Sequence, residues 1–470
     1  MERVKMSIVM RNLLDIIIIL CVCLNFGRSD GAKERGTCSQ TILVSSLFPS
    51  SSSSSLSSCL LSSKASQTKS SLLLVHRHGP CSHLMSGKAT TSPDHDEILR
   101  RDQARVDSIQ SKLSKNQVRP SQLTDLPATQ WDESGAGTYV VKIGIGTPKQ
   151  DLSLLFDTGS DLTWVQCQPC LESKCYPQKE PLFNPSSSTS YVNVSCSSRA
   201  CNSLRGLKGD CSASTCRYKA VYADKSTSQG FLATEKITLT NSDVFDVKFG
   251  CGDNNKGKYY GVAGILGLGR GELSFPSQTY NKMFSYCLPS SGNGGHLTFG
   301  SVGISESVKF TPISSSTRNW YSLEIVGITV CGKQLGIPSA VFPTSGAIID
   351  SGTVITRLPQ KAYAALKSAF KEKMSTYKIT SSGDGSLDTC YDFTGLESVK
   401  IPRITFTFKG GNVVELDPKG ILYSQSRSKV CLAFAGDDLA FIFGSIQQQT
   451  LQVVYDVAAR RVGFAPQGCA

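Results

Sequence analysis

Twice in this chain an apolar run ends on an aspartate and turns at once on a small hydroxyl residue and glycine. Residues 154–164 read LLFDTGSDLTW, and residues 347–358 read AIIDSGTVITRL. Aiming a carboxylate out of what reads as a buried strand costs desolvation, so a feature that does so twice is being used. Asp157 and Asp350 stand 193 positions apart, about the size of one domain. Their surroundings match. Thr158 and Gly159 follow the first and Ser351 and Gly352 the second, each pair trailed by another hydroxyl, Ser160 or Thr353. Downstream of each lies an apolar run closed by glycine, GILGLG at 264–269 and FIFGSI at 441–446. A lone Asp-Ser-Gly is ordinary turn chemistry. The duplicated set is an internal repeat, and it implies two similar lobes.

Such a repeat has a chemical use. Two lobes related by a pseudo-two-fold axis bring the Asp loops face to face, with glycines allowing tight turns and close backbone approach. Carboxylates that close cannot both ionise, so they share one proton and titrate as a pair. The ionised member takes a proton from a water held between them while the protonated member polarises a scissile carbonyl. Thr158 and Ser351 are expected to brace the loops across the axis, with Ser160 and Thr353 supporting them through further hydroxyl bonds.

Histidine placement removes the competing mechanisms. Of five histidines, His76, His78, His83 and His95 lie before residue 126, leaving only His296, in the glycine-rich SSGNGGHLTF, read as a solvated turn residue. A Ser-His-Asp or Cys-His pair needs an imidazole beside its nucleophile. Catalytic zinc prefers histidine ligands. CQPC at 167–170 with Cys175 imitates a zinc knuckle, but 18 cysteines in 470 residues, 13 of them beyond residue 166, mark an oxidising compartment where such thiols form disulfides. No metal or cofactor is expected.

The N-terminus agrees with that compartment. Arg3, Lys5 and Arg11 precede the apolar run IIIILCVCLNF at 16–26, the shape of a cleaved signal peptide over residues 1–29 and shorter than the roughly 20 residues of a membrane span. Residues 45–63 are serine-biased low complexity. In residues 94–115, Ile98, Val106, Ile109 and Leu113 recur at roughly helical spacing. From residue 126 the texture turns to short β-rich runs punctuated by glycine, so residues 30–125 read as a prosegment and 126–315 and 316–470 as the two lobes. Residues 64–125 carry ten Lys and Arg against six Asp and Glu, a positive segment suited to a cleft that concentrates carboxylates. The net charge of +12 is dispersed, with no basic run interleaved with aromatics, so nucleic acid is not an expected partner.

At this point the residues resemble the pepsin-like aspartic proteases over 137–470, and within them the secreted, nepenthesin-like plant enzymes. The likeness rests on GTYVVKIGIGTPKQDLSLLFDTGSDLTWVQCQPC, FGCGDNNKG, GILGLGRGELSFPSQ, FSYCLPSS, AIIDSGTVITRLP and VVYDVAARRVGFAPQGC, with HRHGPC in the prosegment. It implies an all-β, bilobed pepsin-like fold with a few short helices, a catalytic dyad of Asp157 and Asp350, and an apoplastic, defence-associated, monomeric endopeptidase. Protein or peptide substrates would lie extended in the cleft, with the prosegment as intramolecular inhibitor. The likeness also places a flap tyrosine at Tyr222, supported by the indole of Trp164; Ala223 and Lys225 stand where relatives carry glycines, which implies a stiffer or differently turned hairpin. It suggests the pairs Cys167–Cys170, Cys175–Cys251, Cys196–Cys216, Cys201–Cys211, Cys287–Cys469 and Cys390–Cys431, leaving Cys331 as a buried free thiol. Sequence alone does not choose among connectivities. Asn193 in NVS is the glycosylation acceptor. Some plant relatives of this fold inhibit microbial cell-wall hydrolases, typically having lost one member of the dyad or its glycine, whereas both motifs are complete here.

Overall fold

The computed structural model describes residues 38–48, 59, 71–79, 81–82, 84, 94–117 and 138–469, except 172, 205–206, 208–210, 223–225, 241–242, 258, 260, 280–281, 291–293, 317–319, 344 and 382–386. The expected signal peptide, His83, the prosegment boundary near Leu126 and the flap-tip residues Ala223 and Lys225 lie outside the described residues. The architecture below is that of Gln40–Ala470, a unit distinct from Met1–Ser39.

The strand Gln150–Asp157 is buried from Leu152 onward, and both of its faces are covered. Leu152, Leu154 and Phe156 enter one apolar cluster, while Leu155 joins Val140 and Trp164 in another. With no face left to water, the sequence reads as a near-continuous apolar run rather than an alternation. The strand pairs antiparallel with Tyr139–Ile145 and parallel with Gly264–Gly267, which sets Gly267 beside Asp157. The second half repeats the device. Ala347–Ile349 pairs parallel with Ile442–Phe443, and Asp350 donates its amide to Phe443 O at 3.2 Å. Each apolar-Gly segment of the sequence repeat is therefore the sheet partner of its own aspartate strand.

The fold is almost all-β and bilobed, with few helices. A 14-stranded sheet runs through both halves: Gln452–Asp456, from the C-terminal half, pairs with Met283–Cys287, while Arg461–Ala465 pairs with Lys309–Pro312. Separate five- and four-stranded sheets complete the second lobe. Against them the helix Gln360–Lys373 buries Ala362, Tyr363, Leu366 and Phe370.

Two elements from residues 30–125 are built into this body. The strand Ser71–His76 lies between Gly295–Phe299 and Tyr139–Ile145 and pairs antiparallel with both. Nothing in the sequence reading marked it as a strand, although SLLLV is the short apolar run that a doubly paired, buried strand requires. The second element is the expected helix, His95–Gln117, capped by Asp94 Oδ1, which accepts from Glu97 N at 3.0 Å. Val106 and Ile109 pack on Trp320, Ile348, Ala440 and Ile442, and Leu99 on Val354, Ile355, Tyr423 and Ile446.

Two expectations are corrected. His296 is no solvated turn residue: it is buried in the strand Gly295–Phe299, opposite Leu73 and Cys287. The disulfide pairing also differs, because sheet register rather than proximity in sequence decides it. Trp164–Gln166 runs parallel to the strand bearing Cys251, and Cys167 N donates to Gly252 O at 2.9 Å. That puts Cys251 beside Cys167, giving Cys167–Cys251 and leaving Cys170 to Cys175. Cys196–Cys211 and Cys201–Cys216 likewise replace the expected pairs. Cys287–Cys469 and Cys390–Cys431 form as expected, the latter from directly opposed strand positions. Cys331 is disulfide-bonded, not free. Non-reducing peptide mapping of the protein is expected to recover Cys167 linked to Cys251; recovery of a Cys167–Cys170 fragment would contradict this register.

Candidate active site

Asp157 and Asp350 sit at the ends of the two related strands, 2% and 0% exposed. Both are held by one guanidinium. Arg105, from the helix His95–Gln117, donates Nε to Asp350 Oδ2 at 2.6 Å and Nη2 to Asp350 Oδ1 at 2.7 Å. The same Nη2 donates to Asp157 Oδ1 at 2.7 Å. One nitrogen thus touches an oxygen from each half of the chain, so the two carboxylates meet across the interface between the repeats. The fork on Asp350 is the bidentate geometry that makes Arg–carboxylate pairs strong.

The loops are tied to each other beneath this pair. Thr158 N donates to Ser351 Oγ at 3.0 Å, and Ser351 N donates to Thr158 Oγ1 at 3.0 Å. The hydroxyls lie 3.2 Å apart. Gly159 N and Gly352 N each donate to Oδ1 of their own loop's aspartate at 3.0 Å. These two positions must be glycine. A Cβ at Gly159 would lie 2.4 Å from Arg105 Nη2 and 2.7 Å from Asp350 Oδ1, and one at Gly352 would lie 2.4 Å from Arg105 Cζ.

The second hydroxyls are not equivalent. Thr353 Oγ1 donates to Asp350 Oδ2 at 2.6 Å. Ser160 Oγ is buried without a hydrogen-bond partner among the described residues, so the expected symmetric support is absent on the first side. On that side Gly159 N and the Arg105 guanidinium both converge on Asp157 Oδ1. Burial works against the charge on Asp350, but Arg105, Thr353 and Gly352 outweigh it and hold its carboxyl below the ordinary range. Burial likewise opposes the charge on Arg105, yet the two carboxylates raise its pKa above the usual value.

Trp164 is fully buried and donates its indole Nε1 to Tyr222 OH at 2.5 Å. Burial raises the Tyr222 phenol well above its usual pKa, with Asp157 among the groups that add to the shift. Tyr222 closes the hairpin through its amide, which donates to Ser226 O at 2.9 Å. Asn193 lies exposed in the short strand Val192–Asn193. Among the described residues no group of His, Cys, Asp or Glu is arranged to hold a metal ion, and Cys167, Cys170 and Cys175 are all spent in disulfides. No helix among them is long and apolar enough to cross a membrane.

Sequence reasoning missed Arg105 and a second contact of the same helix. Asp102, one helical turn before Arg105, accepts from Val354 N at 2.5 Å and Ile355 N at 3.1 Å, and pairs with Arg357 at 3.1 Å. Gln110 Nε2 donates to Asp437, and His95 Nδ1 meets Tyr423 OH at 2.9 Å. The signal was present. Ile98, Asp102, Arg105 and Ile109 are spaced by four, three and four, so two charges occupy the same stripe as two apolar residues. Charges on a buried stripe require partners on the facing surface.

Residues 139–301 match the family described as xylanase inhibitor N-terminal, and residues 320–466 the family described as xylanase inhibitor C-terminal. An aspartyl protease family protein of Arabidopsis thaliana is 65% identical over 98% of this chain and 99% of its own length. Aspartyl protease AED1 of the same plant is 62% identical, covering 98% and 100%. Aspartic proteinase nepenthesin-2 of Nepenthes gracilis is 40% identical over 72% of this chain and 79% of its own. The crystal structure of edgp superposes with a TM-score of 0.56 at 20% identity, covering 72% of this chain and 94% of that one.

Arg105→Gln removes the shared cation and leaves two buried carboxylates unpaired. The helix should then dock more weakly by about 3–5 kcal/mol at neutral pH. Hydrogen exchange across residues 95–117 measures this: protection equal to wild type would mean that the ion pair does not hold the helix.

Proposed function

The chain belongs to the pepsin-like aspartic protease family, among its nepenthesin-like plant members, and from that premise we propose that it is a secreted zymogen of an aspartic endopeptidase. The observation that carries this reading is the meeting of Asp157 and Asp350 on one guanidinium, above loops tied reciprocally by Thr158 and Ser351. A guanidinium there occupies the position that a water and a scissile carbonyl need, so the zymogen is closed. Once Arg105 leaves, two carboxylates this near share one proton. One then acts as base toward water and the other as acid toward the carbonyl. Tyr222 closes over an extended peptide, its ring set by Trp164.

Acidification is the natural trigger, and the acidic plant extracellular space, in defence, is the natural setting. Burial, with Arg77 adding to it, holds His76 down to about 4 and His78 to about 3, against 6.5 when free. Between about 6.5 and 4 the undocked prosegment therefore binds more protons than the docked one, and docking weakens as pH falls through that window. Asp350 acts in the same sense at lower pH: its carboxyl, held down by Arg105 in the docked state, takes up a proton more readily once the helix is gone. Asp102 works the other way. Burial raises its carboxyl despite Arg357 and two amides, so its docking is least favourable at neutral pH. His76, His78 and Asp350 together outnumber it. Residues His76, His78 and His95 line one cavity of about 370 Å³ between prosegment and body, where added positive charge has few ways to be relieved.

The matched family descriptions favour a second reading, a catalytically weak protein that binds and inhibits microbial cell-wall hydrolases. Cleavage of a quenched peptide at acid pH by the processed protein separates the two. Wild type is expected to cut in a pepstatin-sensitive manner and Asp157→Asn to lose at least about a thousandfold in kcat; cleavage by wild type no faster than by the mutant would favour the inhibitor. Replacing His76, His78, His83 and His95 with Gln should move zymogen maturation to lower pH, by about one unit. An unchanged maturation profile would assign the cutting to a separate protease.

A further inference from the structure

Arg357 is fully buried, and its contacts divide sharply by origin. Its Nη2 reaches Asp102 Oδ2 at 3.1 Å and Gln103 Oε1 at 3.2 Å, both from the prosegment helix. From the protease body it has one bond, Nη1 to Ile355 O at 3.0 Å. Its Nε is buried without a partner among the described residues. The Asp102 carboxylate is held at the same time by the amides of Val354 and Ile355. Two adjacent amides and a guanidinium thus converge on one carboxylate that leaves with the prosegment.

Resting on the protease reading, we propose that Val354 N, Ile355 N and Arg357 form an acidic-residue subsite of the mature cleft, which takes a substrate Glu or Asp side chain where Asp102 now sits. Three residues of helix separate Asp102 from Arg105, a rise of about 4.5 Å at 1.5 Å per residue. Arg105 marks the reacting centre. An extended substrate advances about 3.3 Å per residue, so the side chain read here belongs to a residue one or two positions from the cut bond. A neutral substrate can satisfy the two amides with a carbonyl oxygen, but it leaves the guanidinium without the counter-charge that the prosegment supplied. The prosegment helix then presents both halves of the substrate's recognition at once, a cation to the dyad and an anion to this subsite.

The test compares peptides that are matched except for Glu or Gln at each of the two positions on either side of the cut bond. They are assayed with matured enzyme near pH 5.5, where glutamate is ionised. At one position the Glu peptide should be cut about tenfold or more faster in kcat/KM, with the difference carried by KM. Arg357→Gln should abolish that preference, so that the variant cuts Glu and Gln peptides alike, and the wild-type preference should fade as pH falls toward the glutamate pKa. Equal cleavage of Glu and Gln peptides by wild type at every position overturns the subsite while leaving the protease reading intact. Retention of the preference in Arg357→Gln also overturns it. Cleavage of neither peptide by wild type sinks the protease reading and the subsite with it. Because the wild-type comparison needs no substitution, it decides the matter even if Arg357→Gln fails to fold.

Discussion

Everything in this molecule turns on the cost of placing two carboxylates side by side away from water. That cost is tolerable only with a shared counter-charge or a shared proton. Arg105 provides the first, and its Nη2 touches a carboxylate oxygen from each half of the repeat. The rest of the design keeps the carboxylates where that arrangement works. Strands covered on both faces fix each aspartate along its axis, parallel partners at Gly264–Gly267 and Ile442–Phe443 hold the strands, and reciprocal hydroxyl bonds hold the loops.

The segments Ser71–His76 and His95–Gln117 are held by two unlike mechanisms. Ser71–His76 is held by a backbone ladder on both sides, which depends little on side-chain charge. The helix His95–Gln117 is held by apolar packing through Leu99, Val106 and Ile109 and by ion pairs of Arg105 with Asp157 and Asp350 and of Asp102 with Arg357. Charge is what a change of pH can alter, so the helix and the histidines beside it, not the strand ladder itself, are the responsive part.

Much of the site was legible in the sequence because its features are local and repeated. The Asp-hydroxyl-Gly loops, their apolar-Gly partners and the Thr158–Ser351 brace all follow from short strings whose chemistry is self-contained. What was not legible depends on register between distant segments. Cys167 and Cys170 stand three positions apart, yet a parallel strand pairing brings Cys251, far along the chain, to Cys167 instead. The glycines before His296 suggest a solvated turn, but its strand is flanked by Ser71–His76, a strand that no local signal announces. Ser160 follows the same Asp-hydroxyl-Gly string as Thr353, yet among the described residues its hydroxyl has no hydrogen bond, whereas that of Thr353 reaches its aspartate. Arg105 itself was hidden in an ordinary amphipathic helix, visible only as a charge on the wrong face.

The strand Ser71–His76 is a middle member of the sheet, with Tyr139–Ile145 on one flank and Gly295–Phe299 on the other. Excising it would leave a one-strand gap lined by unsatisfied amides and carbonyls at the heart of the molecule. Were the chain cut after residue 76, the sheet would therefore have either to keep Ser71–His76 as a severed but still bound peptide or to take other chain into the slot. In both cases its topology is one that residues 139–469 do not complete alone.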